Sequence, residues 1–168
     1  IHGPNAGSAW GKASVASFKE VAFDGGLPLY KNPLATDDRL VQRKFRTQTI
    51  TGGKAQGRLL GGNLTVLSAL TGSPYLPSFK GAILFIKDVD EAEYRIDRML
   101  TTLGLAGILG QLSGVAFGQC TDCHPNQGGG GFGSFTLSSV LRQHLQPLGI
   151  PAYQGAWFGH ISDQFSIP

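Results

Sequence analysis

Residues 82–100 read AILFIKDVDEAEYRIDRML, and this stretch decides the fold. Five consecutive apolar residues open it without alternating with polar ones, which predicts a strand over 82–87 that is buried on both faces. Apolar residues then recur at helical spacing, which predicts a helix over 92–109 whose inner face comprises Ile96, Met99, Leu100, Leu103 and Gly107. A buried strand followed directly by an amphipathic helix is typical of a parallel α/β sheet.

The rest of the chain continues this alternation of strands and helices. Helices are predicted over 8–22 and 64–70 and from Thr136 to about 146, with Asn63 and Thr136 as N-caps. Short strands are predicted over 54–60, 114–119 and 150–154, and loops over 24–38 and 128–133. The order strand, helix, strand, helix, strand in the second half predicts an α/β fold with a partly parallel sheet.

The composition indicates one globular domain and argues against two classes of partner. A chain of 168 residues with 41% hydrophobic residues is long enough to form a single core. The net charge is only +3 and the basic residues are scattered, so no nucleic-acid partner is expected. No segment approaches the roughly 18 apolar residues of a membrane span, so no membrane partner is expected. The chain starts at Ile1 and stops within the pattern FSIP, so we expect a piece of a longer protein.

The sharpest short motif is CTDCH, Cys120–His124, which matches the pattern for covalent attachment of c-type haem. Haem is not favoured, because the single methionine, Met99, lies within a predicted helix and offers no clear axial ligand. A closed zinc site needs four ligands, and the chain has no second C-x-x-C motif. We therefore interpret Cys120 and Cys123 as two thiols at a strand end and expect no metal and no cofactor, with haem or metal binding kept as an alternative.

Among the four histidines, His160 has the most informative position. It follows the last predicted strand, at the edge of the sheet where α/β folds gather functional groups. A single histidine in a loop is also often structural or simply exposed, so the residues alone leave both roles open. His144 lies on a predicted helix and is expected to be half exposed.

Three longer segments together resemble the C-terminal domain of the LD-carboxypeptidase family. They read GRLLGGNLTVLSALTGSPYLP, GAILFIKDVDEAEYRIDRMLTTLGLAG and IPAYQGAWFGHISDQFSIP. The resemblance rests on residues 61–64, on the helix start at 94–98 and on Phe158-Gly159-His160. The opening HGPNAGS is similar to the segment that joins the family's two domains, which implies a linker over 1–7 and a C-terminal domain over 8–168.

The resemblance carries expectations about fold, activity and partners. The family contains serine peptidases that include murein tetrapeptide carboxypeptidase and the microcin C self-immunity peptidases. It implies a swivelling β/β/α C-terminal domain here and a flavodoxin-like N-terminal domain, expected outside this chain, that carries the nucleophilic serine. It further implies release of terminal D-alanine from a murein-derived peptide in cytoplasmic wall recycling. The chain alone is expected to be inactive, its partner would be the N-terminal domain, and a homodimer is left open.

The family's site residues can be carried over only where this sequence matches. His160 matches the histidine that acts as general base to the serine and then as general acid to the leaving amine. Substrate-binding residues are expected at Gly61, Gly62 and Asn63, and Asp122 joins them because it follows another strand end. The family's triad glutamate falls at the end of the strand, in a pattern like LFLED, where this chain has Lys87.

Lys87 departs from the family's chemistry. A lysine has three donors and no acceptor, so it cannot hold the imidazole, and its charge would lower the pKa of a nearby histidine. Because side chains alternate along a strand, Asp88 is expected on the opposite face, whereas Asp90 and Glu91 lie within reach in the loop beyond. Three interpretations stay open: an introduced inactivating change, a non-catalytic homologue that binds cell-wall peptides or a partner protein, or replacement of the triad acid by one of these two loop carboxylates.

Two arginines open the helix that follows. Arg95 and Arg98 are candidates for binding a substrate carboxylate, because guanidinium groups bind carboxylates in a forked geometry. We favour the alternative, in which they form salt bridges with Asp97 or Asp90.

Overall fold

A computed structural model describes residues 10–26, 29–33, 46–123, 136–161 and 163–167. Its helices are α1 (Lys12–Ala22), α2 (Leu64–Ala69), α3 (Glu93–Leu105) and α4 (Leu137–Leu145). Its strands are β1 (Gln48–Thr51), β2 (Leu59–Asn63), β3 (Ile83–Val89), β4 (Gly114–Thr121) and β5 (Ala152–Gln154). Short 3₁₀ turns follow α3 and α4, at Leu109–Gln111 and Gln146–Leu148.

The five strands form one sheet in the order β1-β5-β4-β3-β2. The strands β2 to β5 are parallel, and β1 pairs antiparallel with β5 at the edge. Successive parallel strands are neighbours, so each right-handed crossover returns its helix to the same side of the sheet. The helices α2, α3 and α4 accordingly contact one another in sequence along that side. The predicted α/β fold with a partly parallel sheet is confirmed.

The helix-covered face of this sheet holds the main core. From β3 and β4 it receives Leu84, Ile86 and Phe117, none of which is exposed. The helices contribute the buried side chains Ile96, Leu100, Leu103, Val140, Leu141 and Leu145. The apolar face predicted for the helix after β3 is therefore the face that packs on the sheet, except at Gly107, which lies beyond the helix end.

The opposite face, called the open face below, is covered by loops instead of helices. Phe85 and Ala116 of the sheet pack there against Ala156 and Phe158 from the segment that follows β5. An open groove of about 800 Å³ runs beside this small cluster, and its lining includes Tyr30, Ile83, Tyr153, Trp157 and Phe165. A parallel sheet normally has both faces buried, so this face is only partly covered by the described residues.

The C-terminal segment is held in place by α1. Two serines of that helix are buried although serine is a polar residue. The Ser14 hydroxyl donates to Asp163 Oδ1 at 2.5 Å and accepts from the backbone N–H of Gln164 at 2.8 Å. The Ser17 hydroxyl accepts from the backbone N–H of Ser166 at 2.9 Å. These bonds satisfy the buried polar groups and hold the chain after His160 against α1.

Two predicted boundaries are wrong because a glycine has a different role from the one assigned to it. The glycine pair 61–62 was expected to end a strand over 54–60, but it lies inside β2. A Cβ on Gly61 would lie 1.7 Å from the Phe85 carbonyl oxygen, so glycine is what allows these strands to approach. At the other boundary, α3 stops at Leu105 instead of 109, because Gly107 has a positive φ of 72° and closes the helix.

The remaining elements agree with prediction in type, with one omission. Thr136 caps α4 through a reciprocal pair of hydrogen bonds with Ser139, as its position predicted. The strand β1 was not predicted, because its sequence QTIT is short and mostly polar. The predicted loop at 128–133 and the linker at 1–7 lie outside the described residues. None of the described helices has the length and apolar character that a membrane crossing requires.

Candidate functional site

The carboxyl end of β3 places its two charged side chains on opposite faces. Asp88, which is 2% exposed, lies on the helix-covered face at the start of α2. Its Oδ1 accepts from the Asn63 side-chain amide at 2.7 Å. Its Oδ2 accepts from the Thr65 backbone N–H at 3.0 Å and from the Thr65 hydroxyl at 2.9 Å. Asp88 therefore acts as an anchor for the first turn of α2, and its expected direction away from Lys87 is confirmed.

Lys87 lies on the open face, in the same alternation as Ile83 and Phe85. Only 4% of the residue is exposed, and it donates no hydrogen bond and forms no ion pair with any residue that the structure describes. Burial lowers the pKa of its ammonium group from the ordinary 10.5, and the negative charge of Asp88 partly offsets this effect. A covered cation without an anionic contact is the unusual feature of this strand end.

His160 reaches the same edge of the sheet on the segment that follows β5. This segment turns back along β4, where the Gln119 backbone N–H donates to the Phe158 carbonyl at 2.8 Å. The Thr121 hydroxyl donates to the carbonyl of His160 itself at 2.9 Å. The backbone N–H of Gly159 donates to the buried Gln164 side chain at 3.0 Å. The backbone of His160 is thus fixed by groups on both sides of it.

Glycine at position 118 makes this close approach possible. A Cβ there would lie 2.4 Å from the Phe158 carbonyl oxygen and 2.6 Å from its ring. The pairing of β3 with β4 also shifts at this point, because Ile86 aligns with Phe117 whereas Asp88 aligns with Cys120. The extra residue in β4 is a bulge, and bulges often re-aim side chains beside functional sites.

The charge of Lys87 affects the pKa of His160. The pKa of the imidazole is lowered from the ordinary 6.5, first by burial and then by the positive charge of Lys87, while the charge of Asp88 acts in the opposite sense. A lowered pKa keeps the ring neutral at neutral pH, which is the form that accepts a proton. The site therefore combines a neutral proton acceptor with a covered cation at one edge of a parallel sheet.

Two of the three predicted substrate-binding residues near β2, Asn63 and Gly61, have clear structural roles. Asn63 caps α2 by accepting from the Val66 backbone N–H at 2.9 Å, so its prediction as an N-cap is confirmed. Gly61 allows the close pairing with β3, and no neighbour limits the space around Gly62. Contact of these three residues with a substrate stays a prediction.

The two cysteines of the CTDCH motif are not the free thiols that the sequence predicted. Cys120 and Cys123 form a disulfide, so the interpretation as two thiols is wrong. Cys120 continues β4 beyond its bulge, and the turn after the strand brings the two residues within bonding distance. His124 lies outside the described residues, and no cluster of three metal-ligating side chains occurs among those described.

Asp122 lies exposed in the turn after β4 with a positive φ of 57°. Its predicted role in lining a cleft stays a prediction.

The salt-bridge partners predicted for the arginines are wrong. Arg95 contacts Glu91 at 3.5 Å, one helical turn away, instead of Asp97 or Asp90. Asp97 contacts the His144 ring at 2.7 Å between α3 and α4. The carboxylate of Glu91 lies 3.2 Å from the Thr65 hydroxyl oxygen, which places it over the start of α2. The charges that act on the pKa of His160 are those of Lys87 and Asp88, so replacement of the triad acid by Asp90 or Glu91 stays an untested prediction.

Four residues that position His160 had no signal in the sequence. They are Gly118, Gln119, Thr121 and Gln164. The Gln119 side chain donates to the Gly155 and Ala156 carbonyls at 3.0 and 3.2 Å, which secures the start of the segment that carries His160. Gly118, Gln119 and Thr121 contact backbone groups of residues that are distant in sequence, whereas Gln164 contacts Gly159 within the same segment. Neither periodicity nor spacing reports such contacts.

The family model for the LD-carboxypeptidase C-terminal domain matches residues 56–168, about two thirds of the chain. This chain belongs to the LD-carboxypeptidase family. The match includes β2 to β5, α2 to α4 and the segment that carries His160. The resemblance inferred from the sequence is confirmed at the level of the family.

Similar proteins support the same assignment for this LD-carboxypeptidase domain. A putative carboxypeptidase of Synechocystis is 44% identical over 108 residues, which are 64% of this chain and 35% of that protein. A probable murein peptide carboxypeptidase of Bacillus subtilis is 37% identical over 116 residues, 69% of this chain and 35% of that protein. The chain thus spans about a third of the length of these relatives.

A solved structure shares the fold of the domain. The crystal structure of muramoyltetrapeptide carboxypeptidase from Oxalobacter formigenes superposes with a TM-score of 0.67 at 26% sequence identity. The aligned part covers 92% of this chain and 48% of that structure. The fold class expected from the resemblance, a C-terminal domain of this family, is confirmed.

Proposed function

We propose that this domain forms the C-terminal part of a serine LD-carboxypeptidase that removes terminal D-alanine from a murein tetrapeptide, in the cytoplasm. The family and the names of its relatives support hydrolysis of a murein peptide. The single observation that carries the proposal is the position of His160. Its backbone is fixed between β4 and the C-terminal segment, at the edge of the sheet where α/β proteins place their active sites.

In the proposed reaction His160 moves the proton at both steps. The neutral imidazole takes the proton from a serine hydroxyl, supplied by the N-terminal domain, as that oxygen attacks the peptide carbonyl. The imidazolium then donates this proton to the leaving amine of D-alanine, and water releases the peptide in the reverse sequence. This chain supplies the base and no nucleophile, so by itself it is expected to release no D-alanine.

Lys87 is the observation that favours a second candidate, a non-catalytic homologue that binds cell-wall peptides or a partner protein. In a serine protease whose acid member becomes neutral, turnover falls about 10⁴-fold, because the histidine loses its orientation and the imidazolium its support. The positive charge of Lys87 lowers the pKa of His160 further, which opposes formation of the imidazolium.

The test is D-alanine release from murein tetrapeptide by the unaltered full-length protein and by three variants of it. His160→Gln is expected to reduce turnover at least about 10³-fold, because the proton acceptor is lost. Lys87→Glu is expected to raise turnover, by up to about 10⁴-fold, because an acid then orients the imidazole. Lys80→Glu, at an exposed position before the other end of β3, is the matched control and should leave turnover unchanged.

Each other outcome has a definite meaning. Equal activity with lysine and with glutamate at position 87 would show that another carboxylate, such as Asp90 or Glu91, orients His160. Absence of activity in both forms, with the protein folded, would refute the enzyme and favour the non-catalytic homologue.

A further inference from the structure

The turn that ends β4 is closed by a disulfide close to His160. Cys120 lies near the end of the strand, Cys123 lies three residues further on, and the bond between them closes the turn. Both cysteines are only partly buried, so a dissolved thiol can reach the bond. The proposed reaction uses neither sulfur atom, which leaves the bond without a role in it.

The backbone by itself favours this turn only weakly. The hydrogen bond that spans it, from the Cys123 N–H to the Cys120 carbonyl, is long at 3.4 Å. Asp122 lies in the left-handed region with a φ of 57°, a conformation that costs free energy for a residue with a side chain. The covalent bond therefore maintains the shape of the turn, and opening the bond is expected to relax it.

Thr121 connects the turn to the histidine. It lies between the two cysteines, and its hydroxyl donates to the His160 carbonyl at 2.9 Å. Its own carbonyl accepts from the Asp90 backbone N–H at 2.9 Å, which joins the turn to the loop after β3. A relaxed turn therefore changes a contact that holds the backbone of His160.

We propose that Cys120 and Cys123 form a reversible dithiol–disulfide site that controls the position of His160; its effect on catalysis rests on the proposed function. The spacing C-x-x-C in a parallel α/β fold is typical of pairs that exchange. A disulfide that closes so short a loop restricts the unfolded chain less than one between distant residues. In the cytoplasm, where we propose that the protein acts, the disulfides that form are mostly catalytic or redox-sensing.

The exchange partner is a small thiol of the glutathione class. One thiolate attacks a sulfur of the Cys120–Cys123 bond, forms a mixed disulfide and releases the other cysteine. A second thiolate attacks the outer sulfur of the mixed disulfide and releases the remaining cysteine. Two electrons pass to the protein, each cysteine sulfur takes up a proton, and the two small thiols leave as their own disulfide. The reverse reaction closes the turn again.

The first measurement is the redox state of the pair in the full-length protein. The protein is equilibrated with glutathione, from a large excess of the oxidised form to a large excess of the reduced form. Alkylation of free thiols and mass spectrometry of the peptide that contains both cysteines then give the dithiol fraction. The pair is expected to pass from disulfide to dithiol within this range. A pair that stays in one state throughout would overturn the proposal.

The imidazole resonances in NMR spectra of the same samples measure the coupling to His160. Its resonance is expected to shift between the two redox states, whereas that of His144, on α4, should not move. The double variant Cys120→Ser/Cys123→Ser should show the dithiol position throughout. An unshifted His160 resonance, or equal shifts of both rings, would overturn the control of His160.

Two variants of Thr121 test the path of the coupling. Thr121→Val removes the hydroxyl that donates to the His160 carbonyl, so the resonance of His160 should no longer follow the redox state. Thr121→Ser keeps a hydroxyl at this position and should keep the shift. A full shift in Thr121→Val would overturn the role of this contact.

Failure of this proposal and failure of the proposed function can be told apart. Reduction of the pair is expected to lower D-alanine release at least about tenfold, because a displacement of about 1 Å at an active site can cost about 10²-fold. A His160 resonance that follows the redox state in a protein that never releases D-alanine would keep the redox site and refute the enzyme. Release of D-alanine at the same rate in both redox states would keep the enzyme and overturn its control by the cysteines.

Discussion

The two faces of the same sheet differ in what covers them and in what they carry. On the helix-covered face, Leu84 and Ile86 of β3 lie under three helices, and their neighbour Asp88 is fully hydrogen-bonded. On the open face, Ile83 and Phe85 are half-buried under loops, and Lys87 has no such partner. Alternate residues of β3 therefore have different roles: those on the helix-covered face stabilise the fold, and those on the open face contribute to the candidate site. This difference indicates that the helix-covered face gives the sheet rigid support, whereas the open face carries the side chains of the candidate site.

The largest expected contrast between the faces comes from two neighbouring residues of β3. Leu84→Ala is expected to lower the free energy of unfolding by about 2–5 kcal/mol, because it leaves a cavity in a fully buried core. Ile83→Ala removes as many carbon atoms from the half-buried open face and should cost only about 1 kcal/mol. Urea unfolding of both variants measures this difference. Equal costs would show that something else covers the open face.

Asp88→Ala tests the polar support on the helix-covered face. The substitution is expected to cost about 2–4 kcal/mol, because the Asn63 amide and the Thr65 backbone N–H lose a shared acceptor and α2 loses its anchor. Asp24→Ala, at an exposed position after α1, is the control and should change stability little. The same urea titration applies, and similar costs for the two aspartates would contradict the proposed anchoring.

Gly118→Ala tests how closely the segment that carries His160 approaches β4. A Cβ there overlaps the Phe158 carbonyl, so we expect a loss of about 1–3 kcal/mol together with a displaced His160. Gly110→Ala adds the same atom where no neighbour lies within 4 Å and serves as the control. The imidazole resonance of His160 in NMR spectra reports the displacement. A variant at position 118 with unchanged stability and spectrum would show that the segment is free to move.

The smallest expected effect is a change in the pKa of His160, with no change in the fold. Burial and then the charge of Lys87 hold the pKa of His160 below 6.5, so Lys87→Met should raise that pKa and Lys87→Glu should raise it further. An NMR titration measures this, with His160→Gln to assign the signal. The His144 ring, paired with Asp97 on the helix-covered side, provides the internal reference. If the pKa of His160 is the same in all three forms of position 87, the electrostatic coupling between the two residues is contradicted.

The same lowered pKa fixes the sign of a pH effect on stability. The folded state binds a proton at His160 less readily than the unfolded state, whose histidine has the ordinary value of 6.5. The contribution of the neutral, buried ring is therefore present above pH 6.5 and is lost as pH falls through the lower folded-state pKa. Comparison of unfolding midpoints for the unaltered chain and His160→Gln across this range measures it.

Prediction from the sequence worked best where the signal is local. The apolar run of β3, the helical spacing of α3 and the capping residues Asn63 and Thr136 act within a few residues of each other. Boundaries failed where a glycine acts on a distant neighbour, as Gly61 does on Phe85. The partner of Arg95 was missed because several carboxylates lie near it in the sequence and only the folded backbone selects one of them. The disulfide was missed because the spacing of Cys120 and Cys123 does not report whether the turn after β4 brings their sulfur atoms together.

By itself, the amino-acid sequence determined the alternation of strands and helices, the core face of the helices, the family and the presence of a lysine at the strand end. Only the tertiary structure decided that this lysine lies covered, without a counter-ion among the described residues, and within electrostatic reach of His160. The physical reason is the distance along the sequence over which each kind of interaction acts. Periodicity and capping depend on bonds between near neighbours, whereas the meeting of Lys87 and His160 depends on two crossovers and on a bulge in β4.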